Sequence, residues 1–483
     1  MIQQSAQQNK DRLFRYLELA DRLESQIRSG AFRAGEKLPS IRHLHSQVRL
    51  SISTVYQAFI ELEKRGLVEP REKSGYFVKP LLENLLPSPE ILNTQSKPNK
   101  VTVNNLAFAL LEAMNDPEVM QLGGALIAPE LLPGRELAAI LKSISLAGLN
   151  NSMAAYGHPL GHPSLRRQIV RHSTPLWGYT APEEMVITNG CMEAVSICLQ
   201  AVAEPGDTIV VESPTFPWFL QIIEDFGLYA LEIPTDPHQG MDLTALDRAI
   251  QHHHVKACIL ITNFNNPLGF LMPDQQKKAL LELLGAREIP IIEDDIYGEL
   301  YFGPSRPAPL KAYDRKGLVL YCASFSKTLS PGLRVGWALP GRYLERVRRL
   351  KLNQTICGPS LPQMVVAKFM QNGAYERHLR RLRTALKNQV SNMALAVARL
   401  FPDNTKISSP QGGLTLWVQL NPRVDSLELF RRALKARIAV LPGIICASSA
   451  TYDNCIRISC GMPWNKRLEQ GLLALASIVK ALC

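Results

Sequence analysis

SFSKTLSPGLRVGW, residues 324–337, sets an amine, Lys327, behind two hydroxyls and follows it with a Pro331-Gly332 turn and Arg334. The apolar run GLVLYCA just before it, residues 317–323, reads as a buried strand, so the lysine stands at a strand end. Desolvation and neighbouring cations lower the pKa of such an amine and make it a usable nucleophile for Schiff-base chemistry. The turn brings Arg334 back beside Ser324, and a hydroxyl with a guanidinium is a phosphate-holding pair. A lysine beside a phosphate site suggests pyridoxal phosphate, whose ring nitrogen needs an acidic partner. Asp294 in EDDIY supplies one, and Tyr297 in the same segment is placed to donate towards the ring hydroxyl.

Working outward, EMVITNG, DTIVVESP, KACILITN and IPIIEDD are further short apolar runs, with helical patterns between them. Near-continuous apolar strands alternating with helices predict an α/β unit over residues 105–483, built on a large, mostly parallel sheet covered on both faces. Polar and glycine residues gather just after these runs, where open sheets of this kind bind ligands.

At 483 residues the chain is too long for one core and divides into two or three domains. No basic segment joined to an apolar run marks a secretory signal, and no uncharged apolar run is long enough to span a membrane. The nine cysteines lack paired spacing, which fits thiols in a reducing cytosol. Residues 1–80 carry 14 lysines and arginines against nine acids, almost half of the chain's net charge of +11. That concentration suits a polyanion-binding module.

The pattern of residues 12–79 agrees with this. Leu13, Leu17, Ala20, Leu23 and Ile27 recur at helical spacing up to Gly30. Ser40 caps a helix through Val48, and Ser51 or Ser53 caps another that buries Val55, Phe59 and Leu62 before Gly66. Two extended runs around Lys73-Ser74-Gly75 complete a winged helix-turn-helix, a motif whose second helix enters the major groove. Residues 80–104, rich in Pro, Asn and Ser, read as a linker, and LAFALLEAMND after residue 105 as a helix of the next domain.

GEKLPSIRHL, LSISTVYQAFIELEKRGLVE and KSGYFV resemble the DNA-binding domain of GntR-type bacterial regulators. The resemblance implies phosphate contact by Arg42, contacts by Ser53, Thr54 and Tyr56 from the first turn of the recognition helix, and by Lys73 and Gly75 at the wing tip. Where relatives often carry arginine, the strongest guanine reader, this chain has Ile52 and Tyr56. The larger part resembles fold-type-I pyridoxal phosphate proteins of the class I/II aminotransferase group, with a small C-terminal α/β domain. That likeness implies Lys327 as the lysine of the aldimine, Ser324 and Arg334 as phosphate ligands, and the amides of Cys191 and Met192 in TNGCMEAV as further donors. It implies Phe216 stacking on the cofactor, Asn266 at the ring hydroxyl, and Tyr156 reaching the phosphate of a partner subunit, hence a homodimer. Arg457 in IRISCG corresponds to the arginine on a substrate α-carboxylate, with Gly124 in the backbone near it. His252-His253-His254 reads as a solvated connection, and no metal site is expected.

Both parts together resemble the MocR subfamily. The expected function is a cytoplasmic, pyridoxal-phosphate-dependent transcriptional regulator. It would bind double-stranded operator DNA as a homodimer and sense the cofactor, an amine or an amino acid through Lys327. The alternative is an active aminotransferase with a DNA-binding arm, since Lys327, Asp294, Tyr297 and Arg457 are all present.

Overall fold

The computed structural model describes residues 2–32, 35–71, 74–79, 85–92, 97–101, 112–113, 116–144, 154–371 and 373–483. The chain divides into two compact units, Met1–Pro87 and Ser88–Cys483.

In the first unit α1 (Ile2–Arg28), α2 (Ile41–Val48) and α3 (Ile52–Lys64) precede a hairpin of β1 (Val68–Arg71) and β2 (Gly75–Val78). The helices begin where the hydroxyls stand. Ser40 Oγ accepts from the His43 amide at 3.2 Å, and Ser51, not Ser53, caps α3 by accepting from the Thr54 amide at 3.1 Å. Leu23 and Ile27 of α1 meet Val55, Phe59 and Leu62 of α3 in one core with Leu38 and Leu44. Arg65, just past α3, fastens back to α1 as Nη1 donates to Asp21 at 2.5 Å and to Glu24 at 2.7 Å, while its Nε donates to Glu61 of α3 at 3.2 Å. The hairpin is antiparallel, pairing Arg71 with Gly75, whose φ of +107° is one that side chains disfavour. Ser51→Ala removes the cap of α3, so the unfolding midpoint of this unit should fall by the equivalent of about 1 kcal/mol in a denaturant titration of the whole chain. An unchanged midpoint would show that the cap contributes nothing.

In the second unit β3 (Asn99–Lys100) edges the large sheet, and β4 (Met120–Gln121) lies apart from it. Then come β5 (Val186–Thr188), β6 (Thr208–Ser213), β7 (Tyr229–Asp236), β8 (Gly240–Met241), β9 (Val255–Leu260), β10 (Ile291–Asp294), β11 (Val319–Ser324) and β12 (Gly336–Leu339). Among the described residues they form a nine-stranded sheet in the order β3-β7-β6-β9-β10-β11-β12-β5, with β8 on β7. From β7 to β11 neighbours run parallel, while β3, β8 and β12 run antiparallel to theirs. Alternation along β6 shows why its apolar run is continuous. Ile209 and Val211 join a core with the helices Cys191–Val202 and Pro217–Asp225, and Val210 joins the core on the other face with Leu243–His252 and Asp274–Gly285.

A smaller sheet follows. β13 (Lys406–Ile407), β14 (Thr415–Gln419), β16 (Leu441–Pro442) and β17 (Cys455–Ser459) lie antiparallel in the order β13-β14-β17-β16, while β15 (Ile438–Ala439) pairs with β4. The helix Lys466–Leu482 contacts both Ala374–Leu400 and Ser426–Lys435 beside this sheet.

The expected linker behaves differently in its second half. The Glu90 amide donates to Gln419 Oε1 at 2.9 Å, and Asn99 pairs with Ala230, so these two residues pack on the second unit. Most of the helix expected in LAFALLEAMND lies outside the described residues. His252 ends the helix Leu243–His252, and Val255 opens β9. Among the described residues no helix is long and apolar enough to cross a membrane.

Candidate functional site

Five turns at the same edge of the large sheet build the site. β5 leads to Gly190, Cys191 and Met192, β6 to Phe216, and β9 to Asn266; β10 ends on Asp294, and β11 runs into Ser326 and Lys327. All of these except Gly190 line one cavity of about 220 Å³, together with Tyr297, Arg334, Arg457 and Gly124. Arg457 reaches it from β17 of the smaller sheet, together with Leu441 from β16.

Lys327 Nζ donates to the Ala125 carbonyl at 2.6 Å. Burial pushes its pKa down to about 8; Arg457 adds to the shift and Asp294 opposes it. Burial raises Asp294 to about 6, against the Cys191 thiol and the Ile296 amide that donate to its Oδ1 at 3.1 Å and 3.0 Å. At neutral pH the pocket therefore holds an ionised carboxylate at one place and an amine near its titration point at another. Asn266 links two further groups: its Nδ2 donates to the Tyr297 hydroxyl at 3.3 Å, and its Oδ1 accepts from Arg457 Nη1 at 2.8 Å. Arg457 Nη2 donates to the Gly123 carbonyl.

Arg334 stands across the loop after β5. Its Nη2 donates to the Asn189 carbonyl at 2.7 Å and its Nη1 to Ser326 Oγ at 3.4 Å. The guanidinium fits because Gly190, at φ +91°, has no side chain: a Cβ there would sit 2.3 Å from Nη2. Gly190 also begins the helix Cys191–Val202, whose free amides and dipole favour an anion. Phe216 lies 5.9 Å from the Trp218 ring, nearly parallel to it, and both line the cavity.

These residues fit pyridoxal phosphate on their own chemistry. A carboxylate can face a ring nitrogen, an amine an aldehyde, a phenol and an amide a ring hydroxyl, and a guanidinium with a helix N-terminus a phosphate. Arg457 adds a second sign. Its Nε is buried without a hydrogen-bond partner, a state costing about 1–3 kcal/mol unless an anionic ligand meets it.

Two expected residues are placed elsewhere. Ser324 Oγ accepts from the Ser326 amide at 3.3 Å and does not line the cavity, because the strand ends there and the chain turns before it opens. Ser326, two residues on, faces the cavity and Arg334 instead. Tyr156 is 82% exposed and lies outside its own pocket. Sequence reasoning misses Trp218, although SPTFPWF displays it, and it misses Asp295. That neighbour of Asp294 accepts from Arg306 Nη2 at 2.7 Å, from the Tyr321 hydroxyl at 2.8 Å and from Asn263 Nδ2 at 2.8 Å, which clamps the end of β10.

In the first unit Arg42, Ser53 and Tyr56 are exposed on α2 and α3, and Gly75 is exposed on β2. Thr54 departs from expectation. It is buried, and its Oγ1 lies 2.7 Å from Ser51 Oγ, because the residue that donates its amide to the cap is drawn in beneath it. Lys73 lies outside the described residues.

Residues 131–471 match the aminotransferase class I and II family, and residues 15–78 match the bacterial regulatory proteins of the gntR family. The chain is 37% identical to YdcR of Escherichia coli (strain K12), described as an uncharacterized HTH-type transcriptional regulator, over 96% of this chain and 99% of that one. It is 36% identical to YjiR of the same organism, with the same description, over 96% and 98%. Among solved structures it is similar to LysN, the alpha-aminoadipate aminotransferase of Thermus thermophilus, complexed with N-(5'-phosphopyridoxyl)-L-leucine. The TM-score is 0.73 at 28% identity, covering 79% of this chain and 96% of that one.

Proposed function

This chain belongs to the aminotransferase class I and II family and carries a gntR-family domain, and from that premise we propose that the state of its pyridoxal phosphate pocket governs its hold on operator DNA. The protein is a pyridoxal-phosphate-dependent, DNA-binding transcriptional regulator. The observation that carries the sensing role is the gathering of Lys327, Asp294, Asn266, Tyr297, Arg334 and Arg457 around one cavity.

When bound, pyridoxal phosphate supplies an aldehyde that exchanges amines and a ring that withdraws electrons. In our reading Asp294 holds a proton on the ring nitrogen, Tyr297 and Asn266 orient the ring hydroxyl, and Phe216 covers one face. Arg334, Ser326 and the amides of Cys191 and Met192 hold the phosphate. Lys327 offers the amine, and Arg457 holds the carboxylate of an amino-acid effector beside the Gly124 backbone. Tyr156, on the surface, completes the pocket of a second copy, so the working unit is a cytosolic homodimer. Its two winged helices meet two half-sites. An effector shifts this assembly only through unequal affinity for its two conformations.

The amine reacts only when unprotonated. Below about pH 8 the rate at which Lys327 takes up added pyridoxal phosphate should therefore rise about tenfold per pH unit, and above it level off. Stopped-flow absorbance measures this, and a flat profile from pH 6 to 9 would contradict a buried, titrating amine. Arg42→Ala should weaken binding to every duplex alike and lower the salt slope by about one unit, read from titrations at several salt concentrations. The experiment that tests the regulator reading follows keto-acid release over many turnovers alongside sequence-preferring DNA binding. Sustained turnover without such binding would favour an aminotransferase with a DNA-binding arm.

A further inference from the structure

We infer that Ile52, at the start of α3, reads the 5-methyl group of a thymine in the operator, so that an apolar contact sets base preference where a guanidinium would otherwise read guanine. The inference rests on the DNA-binding reading of this domain.

Ile52 is 51% exposed and Tyr56, one turn later on the same face, is 47% exposed. Neither packs into the core formed by Val55, Phe59 and Leu62. The polar side chains that follow Ile52 in the first turn, Ser53 and Thr54, are engaged locally, while Gln57 beside Tyr56 is exposed. Ser53 Oγ lies 2.9 Å and Thr54 Oγ1 2.7 Å from the capping hydroxyl of Ser51, and Thr54 is buried. What the first turn of α3 extends outward is therefore mainly hydrocarbon. Its setting is cationic, with exposed Arg42 on α2 and exposed Arg49 between the helices. Cations around a small apolar patch suit a duplex: the arginines meet phosphates, and the patch meets a base edge. In the major groove thymine alone presents a methyl group, whereas guanine and cytosine present O6, N7 or an amino group, which would lose water against Ile52 without a partner.

The test enriches a sequence from a random duplex pool with the full-length protein loaded with pyridoxal phosphate. Each thymine of the enriched duplex is then replaced singly by deoxyuridine, which keeps pairing and removes the methyl. Binding should weaken roughly fivefold at one thymine per half-site. Ile52→Ala should bind about as weakly as that and respond no further to the same replacement, and Ile52→Arg should move the enriched base at that position to guanine. Ile52 is exposed, so neither substitution disturbs the core, and the deoxyuridine series on the unaltered protein needs no variant. The inference is overturned if no single replacement changes affinity by more than about twofold, or if the sensitive thymine stays sensitive in Ile52→Ala. Failure to enrich any sequence would overturn the regulator reading as well, whereas enrichment without methyl sensitivity would overturn this inference alone.

Discussion

Lys327→Ala is expected to remain colourless at the visible–ultraviolet boundary with pyridoxal phosphate in excess, whereas the unaltered protein absorbs there. The argument is one of supply. Lys327 is the one lysine among the residues lining the cavity, and burial holds its amine near pH 8 while ordinary surface lysines stay protonated. Among the described residues no other lysine lines the cavity with Asp294 and Arg334. Borohydride treatment followed by peptide mapping should fix the cofactor's mass on the peptide that contains Lys327 and leave Lys327→Ala unlabelled. The variant should keep noncovalent affinity for the phosphate group through Arg334 and the amides after Gly190, so equilibrium dialysis should still detect weaker binding. A band of equal intensity in Lys327→Ala would falsify the assignment of the amine. A lost band with intact sequence-preferring DNA binding would instead separate the two units' functions.

Arg306→Ala should be the most destabilising single change outside the apolar core, at about 3–5 kcal/mol. Its guanidinium meets two mostly buried carboxylates: Nη2 donates to Asp295 and Nε to Glu299, each at 2.7 Å. Truncation leaves both charges facing little water, and of the two carboxylates Arg383 and His172 reach Glu299 but not Asp295. Arg306→Lys keeps a cation but cannot fork onto both, so an intermediate loss is expected. Denaturant titration of the whole chain, following the transition of the larger unit, measures it. A loss below about 1 kcal/mol would mean that the carboxylates reach water or take up protons when the guanidinium leaves.

The same cluster gives stability a pH dependence. Burial would lower His172, but Glu299 and Glu376 raise it from 6.5 to about 9. Its folded pKa lies above its unfolded one, so its contribution is full below about 6.5 and is lost as pH rises through about 9. For Glu299 burial works upward, but Arg306, His172 and Arg383 hold it well below 4.5, so its contribution stands above about 4.5 and is lost on acidification. Between those limits both are present, and Arg306→Ala should flatten the acid side most.

The sequence by itself determined a good deal. It marked five of the strands of the large sheet, the serine-capped helices of the first unit and the residue types around the pocket. Each of these is local: an apolar run fixes a buried strand, the polar residue after it must stand at the strand end, and a hydroxyl before a helix caps the next turn. Only the tertiary structure decided which hydroxyl of Ser324 and Ser326 faces Arg334, that Thr54 turns inward, and that Arg457 meets Asn266 from 191 positions away. It also brought Asp295, Glu299 and Arg306 into one buried ion cluster, although all three lie within twelve residues of one another in the chain. The direction of a side chain in a turn, and the partner of a buried charge, depend on what is packed against them, and a one-dimensional pattern does not carry that information.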